Sequence, residues 1–251
     1  MCGIAGEITT DGSRADAAAV AAMSAGLAER GPDGDGAWHR DWVALAHRRL
    51  SIIDLSDGGA QPMVDPDHDL VVVFNGCIYN HAQLRDELRS DFRFTSVSDT
   101  EVILAAYVRW GLDFVHHLVG MFAIALVDRP RHRVVLARDR LGIKPLYLSR
   151  QRGRIRFAST LPALVAGGGV DTALDPVALH HYLSWHSIVP APRSILRGVE
   201  KLPAATVRVI EASGEEHDHR YWQPDYERDA AHAGWSARDW QDALHLSLIH
   251  I

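Results

Sequence analysis

Cys2, directly behind the initiator methionine, is the residue of this 251-residue chain whose position most suggests covalent chemistry. Cysteine is small enough for removal of Met1 to be expected, and Cys2 would then carry a thiol and a free α-amine on one carbon. The α-amine has an ordinary pKa of roughly 7.7–8.0 and the thiol of about 8.5, so the amine can take the thiol proton near neutral pH. Such a residue is a nucleophile with its own general base. A buried, inert cysteine is the alternative, and Met-Cys-Gly alone would favour it.

Two groups of polar residues follow segments that are predicted to be strands. Residues 70–74 are a continuous β-branched and aromatic run, typical of a strand buried on both faces, and Asn75 and Gly76 come directly after it. Arg49 follows a second predicted strand, residues 42–47. Residues 30–36 contain three glycines and a proline, which predicts a loop.

Asp99 lies where a helix is predicted to start. Residues 98–101 (Ser-Asp-Thr-Glu) form a capping-box pattern that opens a helix through Trp110, so Asp99 falls in its first turn. Asp16, Asn80 and Asp175 mark three further helix starts, the last strengthened by Pro176.

Strand-like and helix-like segments segregate along the chain rather than alternate. Residues 121–128, 134–138, 146–149 and 155–158 are four short predicted strands separated by turn signals, a spacing that predicts a meander. Residues 206–210 are a further candidate. This segregation favours antiparallel sheets covered by helices.

The composition, 47% apolar and 23% charged, is that of an ordinary soluble domain. The formal charge of −6 and the lack of a dense basic run argue against a nucleic-acid partner. No apolar run approaches the roughly 20 residues of a membrane span. Two cysteines are too few for a disulfide framework, which suits the cytoplasm. The fifteen histidines lack metal-ligand spacing, so no metal site is expected.

Six motifs in order resemble the class II glutamine amidotransferase domain of the asparagine synthetase (glutamine-hydrolysing) family. They are Met-Cys-Gly-Ile at 1–4, Arg-Gly-Pro-Asp-Gly at 30–34, Ala-His-Arg-Arg-Leu-Ser-Ile-Ile-Asp at 46–54, Phe-Asn-Gly-Cys-Ile-Tyr-Asn at 74–80, Ser-Asp-Thr-Glu-Val-Ile-Leu at 98–104 and Arg-Asp-Arg-Leu-Gly-Ile-Lys-Pro-Leu-Tyr at 138–147. The resemblance implies an α+β fold, a four-layer α/β/β/α sandwich of two antiparallel sheets with an N-terminal nucleophile.

The resemblance also implies roles for individual residues. Cys2 would attack the carboxamide of glutamine, and the Asn75 amide with the Gly76 N–H would hold the oxyanion. Arg49 would bind the α-carboxylate through its bidentate fork, and Asp99 would bind the α-ammonium. The remaining glutamine-binding positions implied by the match are Leu50, Ser51, Ile52, Ile53, Asn75, Gly76 and Cys77. In isolation, Arg49 would be read as a surface arginine and Asp99 as a charge favoured by the helix dipole.

Two positions depart from the family pattern. Cys77 stands where a glutamate usually follows Asn-Gly, so the position offers no carboxylate to the substrate ammonium. Thr160 stands where asparagine synthetases commonly carry glutamate. These departures resemble the branch of N-acetylglutaminylglutamine amidotransferases, with ordinary asparagine synthetase as the second choice. A non-catalytic glutamine-binding regulatory module, or an amidotransferase that feeds amino sugars or purines, remains as an alternative.

The expected organisation is a glutaminase domain at 2–210, a linker with the start of a truncated ATP-dependent synthetase domain at 211–245, and a non-native tail at 246–251, which matches a translated sequencing adapter. No cofactor is expected in this segment. ATP and Mg would act in the synthetase domain of the full enzyme. The expected partners are glutamine and an acceptor carboxylate, with a homodimer as an option.

Overall fold

The computed structural model of the chain describes residues 2–226 and 232–250. Its contacts divide the chain into a first unit that ends at Tyr221 and a second that begins at Trp222. The helices are α1 (Ala17–Ala25), α2 (His81–Leu88), α3 (Asp99–Trp110), α4 (Phe114–His117), α5 (Leu161–Ala166), α6 (Pro176–Ser184) and, in the second unit, α7 (Ala237–His250), with 3-10 turns at Ala28–Arg30, Asp57–Gly59 and Gly111–Asp113.

Twelve strands form two six-stranded sheets within the described part of the first unit. They are β1 (Gly3–Thr9), β2 (Gly34–Arg40), β3 (Val43–Arg49), β4 (Met63–Asp65), β5 (Leu70–Ile78), β6 (Gly120–Asp128), β7 (Arg133–Arg138), β8 (Tyr147–Gln151), β9 (Arg154–Ala158), β10 (Glu200–Lys201), β11 (Thr206–Glu211) and β12 (Glu216–Arg220). The first sheet has the order β10-β8-β9-β1-β3-β2 and the second β12-β11-β7-β6-β5-β4. All strand pairs are antiparallel.

The main core lies between the two sheets. Alternate residues of each strand point inward, as the two-residue period of a strand requires. Ile4 and Ile8 of β1 belong to the same buried cluster as Val71 and Val73 of β5. This cluster joins the sheets face to face.

Helices cover the outer faces. Val20 and Met23 of α1 and Leu164 of α5 pack with Ala5 of β1 on the far side of the first sheet. Helix α3 contacts β5 of the second sheet and also packs against α2. The predicted α/β/β/α sandwich of two antiparallel sheets is therefore confirmed.

The predicted meander is wrong. Strands β6 and β7 pair in the second sheet, whereas β8 and β9 pair in the first. Turn signals mark where a strand ends but carry no information on which sheet the next strand joins, and the segment between β7 and β8 crosses from one sheet to the other.

The predicted loop at residues 30–36 is partly wrong, because β2 begins at Gly34 and pairs with β3. Glycine at position 36 is required by the close approach of another backbone: a Cβ there would collide with the carbonyl oxygen of Gln61. Gly36, one of the glycines that suggested a turn, is therefore a strand residue packed closely against another backbone.

The predicted helix starts are confirmed, with two differences in the capping. Asn80 directly precedes α2, but its side chain makes no capping hydrogen bond. The carboxylates of Asp16 and Asp175 and the hydroxyl of Ser98 accept backbone N–H groups of α1, α6 and α3. Glu101 does not complete a capping box. Its carboxylate instead accepts the backbone N–H and hydroxyl groups of Thr95 and Ser96, which fixes the segment before α3.

The domain limits near residues 210 and 245 stay predictions. Strand β12, in the segment expected to be a linker, pairs with β11 within the first unit. The predicted tail at 246–251 includes residue 251, which lies outside the described residues, as does Met1.

A buried ion pair network fixes β1, the strand that carries Cys2 at its start. Glu7 is fully buried, and its carboxylate accepts from Arg154 and Arg156 at 2.6 Å each and from the backbone N–H of Asp16 at 2.8 Å.

We expect Glu7→Ala to lower the free energy of unfolding by about 3–5 kcal/mol, because it leaves the buried Arg156 and the half-buried Arg154 without their shared carboxylate. Chemical denaturation measures this value. Asp86→Ala removes a carboxylate from an exposed pair on α2 and should cost no more than about 1 kcal/mol. Equal losses in the two variants would contradict the assignment.

Candidate active site

The ends of several strands bring the predicted site residues together. Cys2 directly precedes β1, Arg49 ends β3, and Asn75 lies near the end of β5. Cys2 is two residues from Ile4 and Asn75 is two residues from Val73, both of which face the space between the sheets. Strand periodicity therefore directs Cys2 and Asn75 into the same intersheet space from opposite sides.

A cavity at this end of the sandwich contains almost the whole predicted set. Its wall is formed by Cys2, Arg49, Leu50, Ile52, Ile53, Asp54, Gly59, Gln61, Phe74, Asn75, Gly76, Cys77, Ser98, Asp99, Thr100, Met121 and Lys144. The structure does not bring Ser51 to the wall; its backbone N–H donates to the Asp33 carboxylate at 2.8 Å.

The thiol of Cys2 is held at the cavity wall by the backbone that follows β3. The Leu50 N–H donates to Cys2 Sγ at 3.3 Å, and Sγ lies 3.6 Å from the Leu50 carbonyl oxygen. Arg30 Nε donates to the Cys2 carbonyl oxygen at 3.0 Å. Cys2 is only half-buried, so its sulfur is held by the backbone and still open to the cavity.

The Asn75 side chain presents a buried hydrogen-bond donor to the cavity. Asn75 is 1% exposed, and its Nδ2 has no hydrogen-bond partner among the described residues. A buried polar group without a partner costs about 1–3 kcal/mol, so such groups are rare and mark functional positions. Nδ2 is suited to an oxygen of a bound molecule.

The backbone N–H of Gly76 points to the same side of β5 as two N–H groups with known partners. The Phe74 N–H donates to Gln61 at 2.6 Å and the Ile78 N–H to Asp99 at 3.0 Å. Alternate N–H groups of a strand point to one edge, and β4 covers that edge only as far as Val72. The Gly76 N–H is thus directed to the cavity edge of β5.

Glycine at position 76 is dictated by its neighbours. A Cβ would collide with the carbonyl oxygen of Met121 and lie 2.6 Å from the Phe74 ring. Any larger residue would therefore displace the strand that carries the Asn75 amide and the Gly76 N–H.

The Arg49 guanidinium is fixed by the loop after β3. Nη1 donates to the Ser56 carbonyl oxygen at 2.8 Å and Nη2 to that of Asp54. Gly59 lies directly against the guanidinium, and a Cβ there would collide with it. These carbonyl contacts orient the fork in the cavity wall without neutralising its positive charge.

Asp99, the first residue of α3, supplies a carboxylate to the cavity wall. It is 6% exposed, and its Oδ2 accepts the Ile78 N–H. Burial raises the pKa of this carboxyl, and the Ile78 hydrogen bond opposes that rise. Arg49 and Asp99 together give the cavity one fixed cation and one fixed anion, the pattern that an α-amino acid zwitterion matches.

We expect Asp99→Asn to raise the KM for glutamine by about 10–100-fold, because a charged hydrogen bond of about 1.5–3 kcal/mol is lost. The variant should keep its stability at pH 7, since the asparagine oxygen can still accept the Ile78 N–H. Because the pKa of Asp99 is higher in the folded than in the unfolded state, the free energy of unfolding of the native protein falls as pH rises from the unfolded to the folded pKa.

Steady-state kinetics and thermal unfolding of Asp99→Asn check both parts. Asp86→Asn, an exposed position on α2 outside the cavity wall, is the matched control. In the native protein the KM should rise as pH falls through the raised pKa of Asp99. An unchanged KM in Asp99→Asn would contradict the role.

Cys77 places a second thiol in the wall. Burial and the charge of Asp99 raise its pKa, while Lys144 opposes the rise. The neutral thiol cannot replace a carboxylate, so the negative charge that acts at Cys77 comes from Asp99.

Several wall residues were not predicted as site residues. Gln61 accepts the Phe74 N–H and donates to Thr100 Oγ1 at 3.0 Å, which ties β5 to α3. Lys144 belongs to the quoted Gly-Ile-Lys-Pro-Leu-Tyr run, and that motif is the one signal that could have found it. Gln61 and Met121 carry no motif signal.

Within residues 2–226 and 232–250, no group of three or more His, Cys, Asp or Glu side chains could hold a metal ion. Among the same residues, no helix combines the length and the apolar character that crossing a membrane requires.

Comparison with known proteins agrees with this geometry. Residues 1–222 match the family described as glutamine amidotransferase domain. The chain is 34% identical over 227 residues to asparagine synthetase (glutamine-hydrolyzing) 1 of Bacillus subtilis, covering 90% of this chain and 35% of that protein. It is 39% identical over 233 residues to a putative asparagine synthetase of Mycobacterium tuberculosis H37Rv, covering 84% and 35%.

A fungal relative carries a different name. Amidase chyE of Penicillium rubens is 35% identical over 206 residues, covering 82% of this chain and 30% of that protein. The chain therefore spans about a third of the length of these relatives.

Two solved structures share the fold. One is a glutamine phosphoribosylpyrophosphate amidotransferase from B. subtilis, with a TM-score of 0.66 and 17% identity over 89% of this chain and 50% of that one. The other, an allosteric regulatory enzyme of purine biosynthesis, has a TM-score of 0.55 and 18% identity over 88% and 43%. At these identities the likeness concerns the fold alone.

Proposed function

The chain belongs to the glutamine amidotransferase family, and we propose that it releases ammonia from glutamine through a thioester on Cys2. The observation that carries this proposal is the unpaired, buried Asn75 Nδ2 in the same cavity as the Cys2 thiol. A donor kept without a partner opposite a nucleophile fits a site that stabilises an oxygen anion formed during the reaction.

The proposed first step is attack by Cys2 Sγ on the side-chain carbonyl carbon of glutamine. The α-amine of Cys2, freed by removal of Met1, takes the thiol proton, and the carbonyl oxygen becomes an oxyanion held by Asn75 Nδ2 and the Gly76 N–H. When the tetrahedral intermediate collapses, the C–N bond breaks and the leaving nitrogen takes the proton from the α-ammonium. Ammonia and a thioester result.

In the second step water hydrolyses the thioester. The α-amine accepts a proton from the attacking water, and the same two donors hold the second oxyanion. When the C–S bond breaks, the leaving sulfur takes that proton from the α-ammonium, so the thiol is restored and glutamate is released. Arg49 and Asp99 hold the α-carboxylate and the α-ammonium throughout, so the amide is presented to Sγ in one orientation.

For the whole protein we propose ATP-dependent amidation of a carboxylate with the released ammonia. The relatives named asparagine synthetase support this proposal, and the step with ATP and Mg is assigned to the part of the whole protein that lies beyond the matched domain.

The proposed acceptor is N-acetylglutaminylglutamine, with aspartate as the alternative that the asparagine synthetase relatives favour. Cys77 in the glutamine cavity supports a branch that differs from ordinary synthetases. Thr160 supports it less, because its hydroxyl caps α5 by accepting the Ala163 N–H at 3.3 Å, a structural role. The low cysteine content supports a cytoplasmic location.

Glutamate and ammonia release by the purified chain tests the proposal. Intact mass first establishes that Met1 is absent. We expect equal amounts of glutamate and ammonia from L-glutamine and none from D-glutamine, because Arg49 and Asp99 fix the α-carbon substituents. Glutamine binding without glutamate release from protein that lacks Met1 would favour a non-catalytic binding module instead.

A further inference from the structure

Gln61 is a buried glutamine in the cavity wall whose side chain bonds two elements at once. It is 8% exposed. Its Oε1 accepts the backbone N–H of Phe74 on β5 at 2.6 Å, and its Nε2 donates to Thr100 Oγ1 on α3 at 3.0 Å. Both partners are also buried, so each hydrogen bond is shielded from competition by water. The Gln61 side chain is therefore a fixed bridge between β5 and α3.

The bridge takes the place of a strand at one edge of β5. Strand β4 begins at Met63, which pairs with Val72, and covers this edge of β5 only up to that pair. Gln61 lies two residues before Met63, and its side-chain oxygen accepts the next N–H that points to this edge, that of Phe74. A longer β4 would pair with the Gly76 N–H as well. A single side chain instead holds the strand and leaves the Gly76 N–H directed to the cavity.

Strand β5 is held against the start of α3 at two points. One is the Gln61 bridge, which ends at Phe74. The other is the carboxylate of Asp99, which accepts the Ile78 N–H at 3.0 Å. Residues 75–76, the proposed oxyanion donors, lie between these two points on β5. The donors are therefore fixed relative to the carboxylate that is proposed to bind the α-ammonium.

We propose that Gln61 is a positioning residue that keeps the distance between the oxyanion donors and Asp99 fixed, and thereby selects a side chain of glutamine length. The inference rests on the proposed function, which places the amide oxygen of the substrate at Asn75 and its α-ammonium at Asp99. Asparagine is one methylene shorter, so its amide does not reach the donors while its ammonium stays at Asp99. One missing methylene changes kcat/KM by about 10–200-fold in a site that holds its substrate closely.

Two variants break the bridge from opposite ends. Gln61→Met has a side chain of similar length and removes both hydrogen bonds, whereas Thr100→Val removes only the acceptor on α3. Thr100→Ser keeps a hydroxyl at that position. Gln151→Met is the matched control, because the Gln151 amide donates to the Gly168 carbonyl oxygen at 3.0 Å and does not line the cavity.

The measurement is a competition between L-glutamine and L-asparagine in one reaction, with asparagine in large excess and with glutamate and aspartate quantified by mass spectrometry. The product ratio gives the ratio of the two kcat/KM values, which does not depend on how much of the protein is folded. A loss of stability alone therefore leaves this ratio unchanged.

For Gln61→Met and Thr100→Val we expect kcat/KM for glutamine to fall about 10–100-fold, because a misplacement of about 1 Å has effects of this size. The preference for glutamine over asparagine should fall about tenfold, since the distance that excludes the shorter substrate is no longer held. Gln151→Met and Thr100→Ser should keep the native ratio.

A native ratio in folded Gln61→Met and Thr100→Val would overturn the proposal. If Gln61→Met loses its thermal transition, Thr100→Val decides the question. A double-mutant cycle gives a second readout: in an Asn75→Ala background the loss of kcat caused by breaking the bridge should shrink, because the donor that the bridge positions is gone. Additive losses would also overturn the proposal.

Glutamate release by the native chain tests the proposed function by itself. A failure of the Gln61 proposal alone would appear as native turnover of glutamine together with an unchanged ratio in both bridge variants. A native chain without Met1 that releases no glutamate would contradict the proposed function, and the Gln61 proposal with it.

Discussion

Cys2→Ala is expected to abolish glutamate release, with a loss of at least about 10⁴-fold in kcat, because covalent catalysis and its internal base both act on this sulfur. The variant should still bind glutamine, since Arg49 and Asp99 are untouched. Initial rates of glutamate formation, together with calorimetric titration of L-glutamine, measure the two effects separately.

Cys77→Ala is the matched comparison, because it removes the second thiol of the same cavity. Thioester formation should persist in that variant, although glutamine affinity can change. Residual activity in Cys2→Ala close to that of the native chain would show that another group hydrolyses the amide, and the assignment of the nucleophile would fall.

Asn75→Ala is expected to lower kcat by about 10²–10³-fold, equivalent to roughly 3–4 kcal/mol of lost transition-state stabilisation. The KM should change little, because the carbonyl oxygen gains most of its charge only in the transition state. Thermal stability should be retained: Nδ2 has no partner in the protein, so its removal breaks no hydrogen bond of this donor.

Asn80→Ala provides the control, since Asn75 and Asn80 are the two asparagines of the sequence. The Asn80 side chain bonds the backbone of His117 and Val119 at 3.0 and 2.9 Å, outside the cavity wall. Asn80→Ala should therefore lose stability but keep kcat, the reverse of Asn75→Ala. If Asn75→Ala lowered thermal stability as well as kcat, Asn75 would have a structural role instead.

The sequence predicted those parts of the fold that local patterns encode. Carboxylate and serine caps mark α1, α3 and α6, and the apolar run of β5 leads directly to Asn75 and Gly76. The six motifs, through their resemblance to a known family, predicted the α/β/β/α sandwich. These features depend on residues close together in the chain, so they can be read without tertiary information.

Features set by long-range packing were not predictable in the same way. Gly34 and Gly36 belong to β2 because β3 and the Gln61 backbone pack against that strand. Glu101 bonds Thr95 and Ser96 rather than the helix cap. Lys144 enters the cavity because Asp139 folds its segment inward, a contact that local periodicity does not reveal.

The direction of the Gly76 N–H is a further example. The motif placed glycine beside Asn75, but the edge to which the N–H points follows from the pairing of β5 with β6 on one side and the early end of β4 on the other. The sequence thus predicted the glycine, whereas the direction of its N–H depends on the sheet topology.

The central claim is that the half-buried Cys2 sulfur, at the mature N-terminus, attacks glutamine bound in this cavity. The most direct measurement treats the chain with a glutamine analogue that carries a diazoketone in place of the carboxamide, so that Sγ displaces N₂ and forms an S–C bond. Peptide mass spectrometry should find the adduct on Cys2 of chains lacking Met1, with protection by L-glutamine but not by D-glutamine. An adduct elsewhere, or an unmodified Cys2 in chains lacking Met1, would contradict the account.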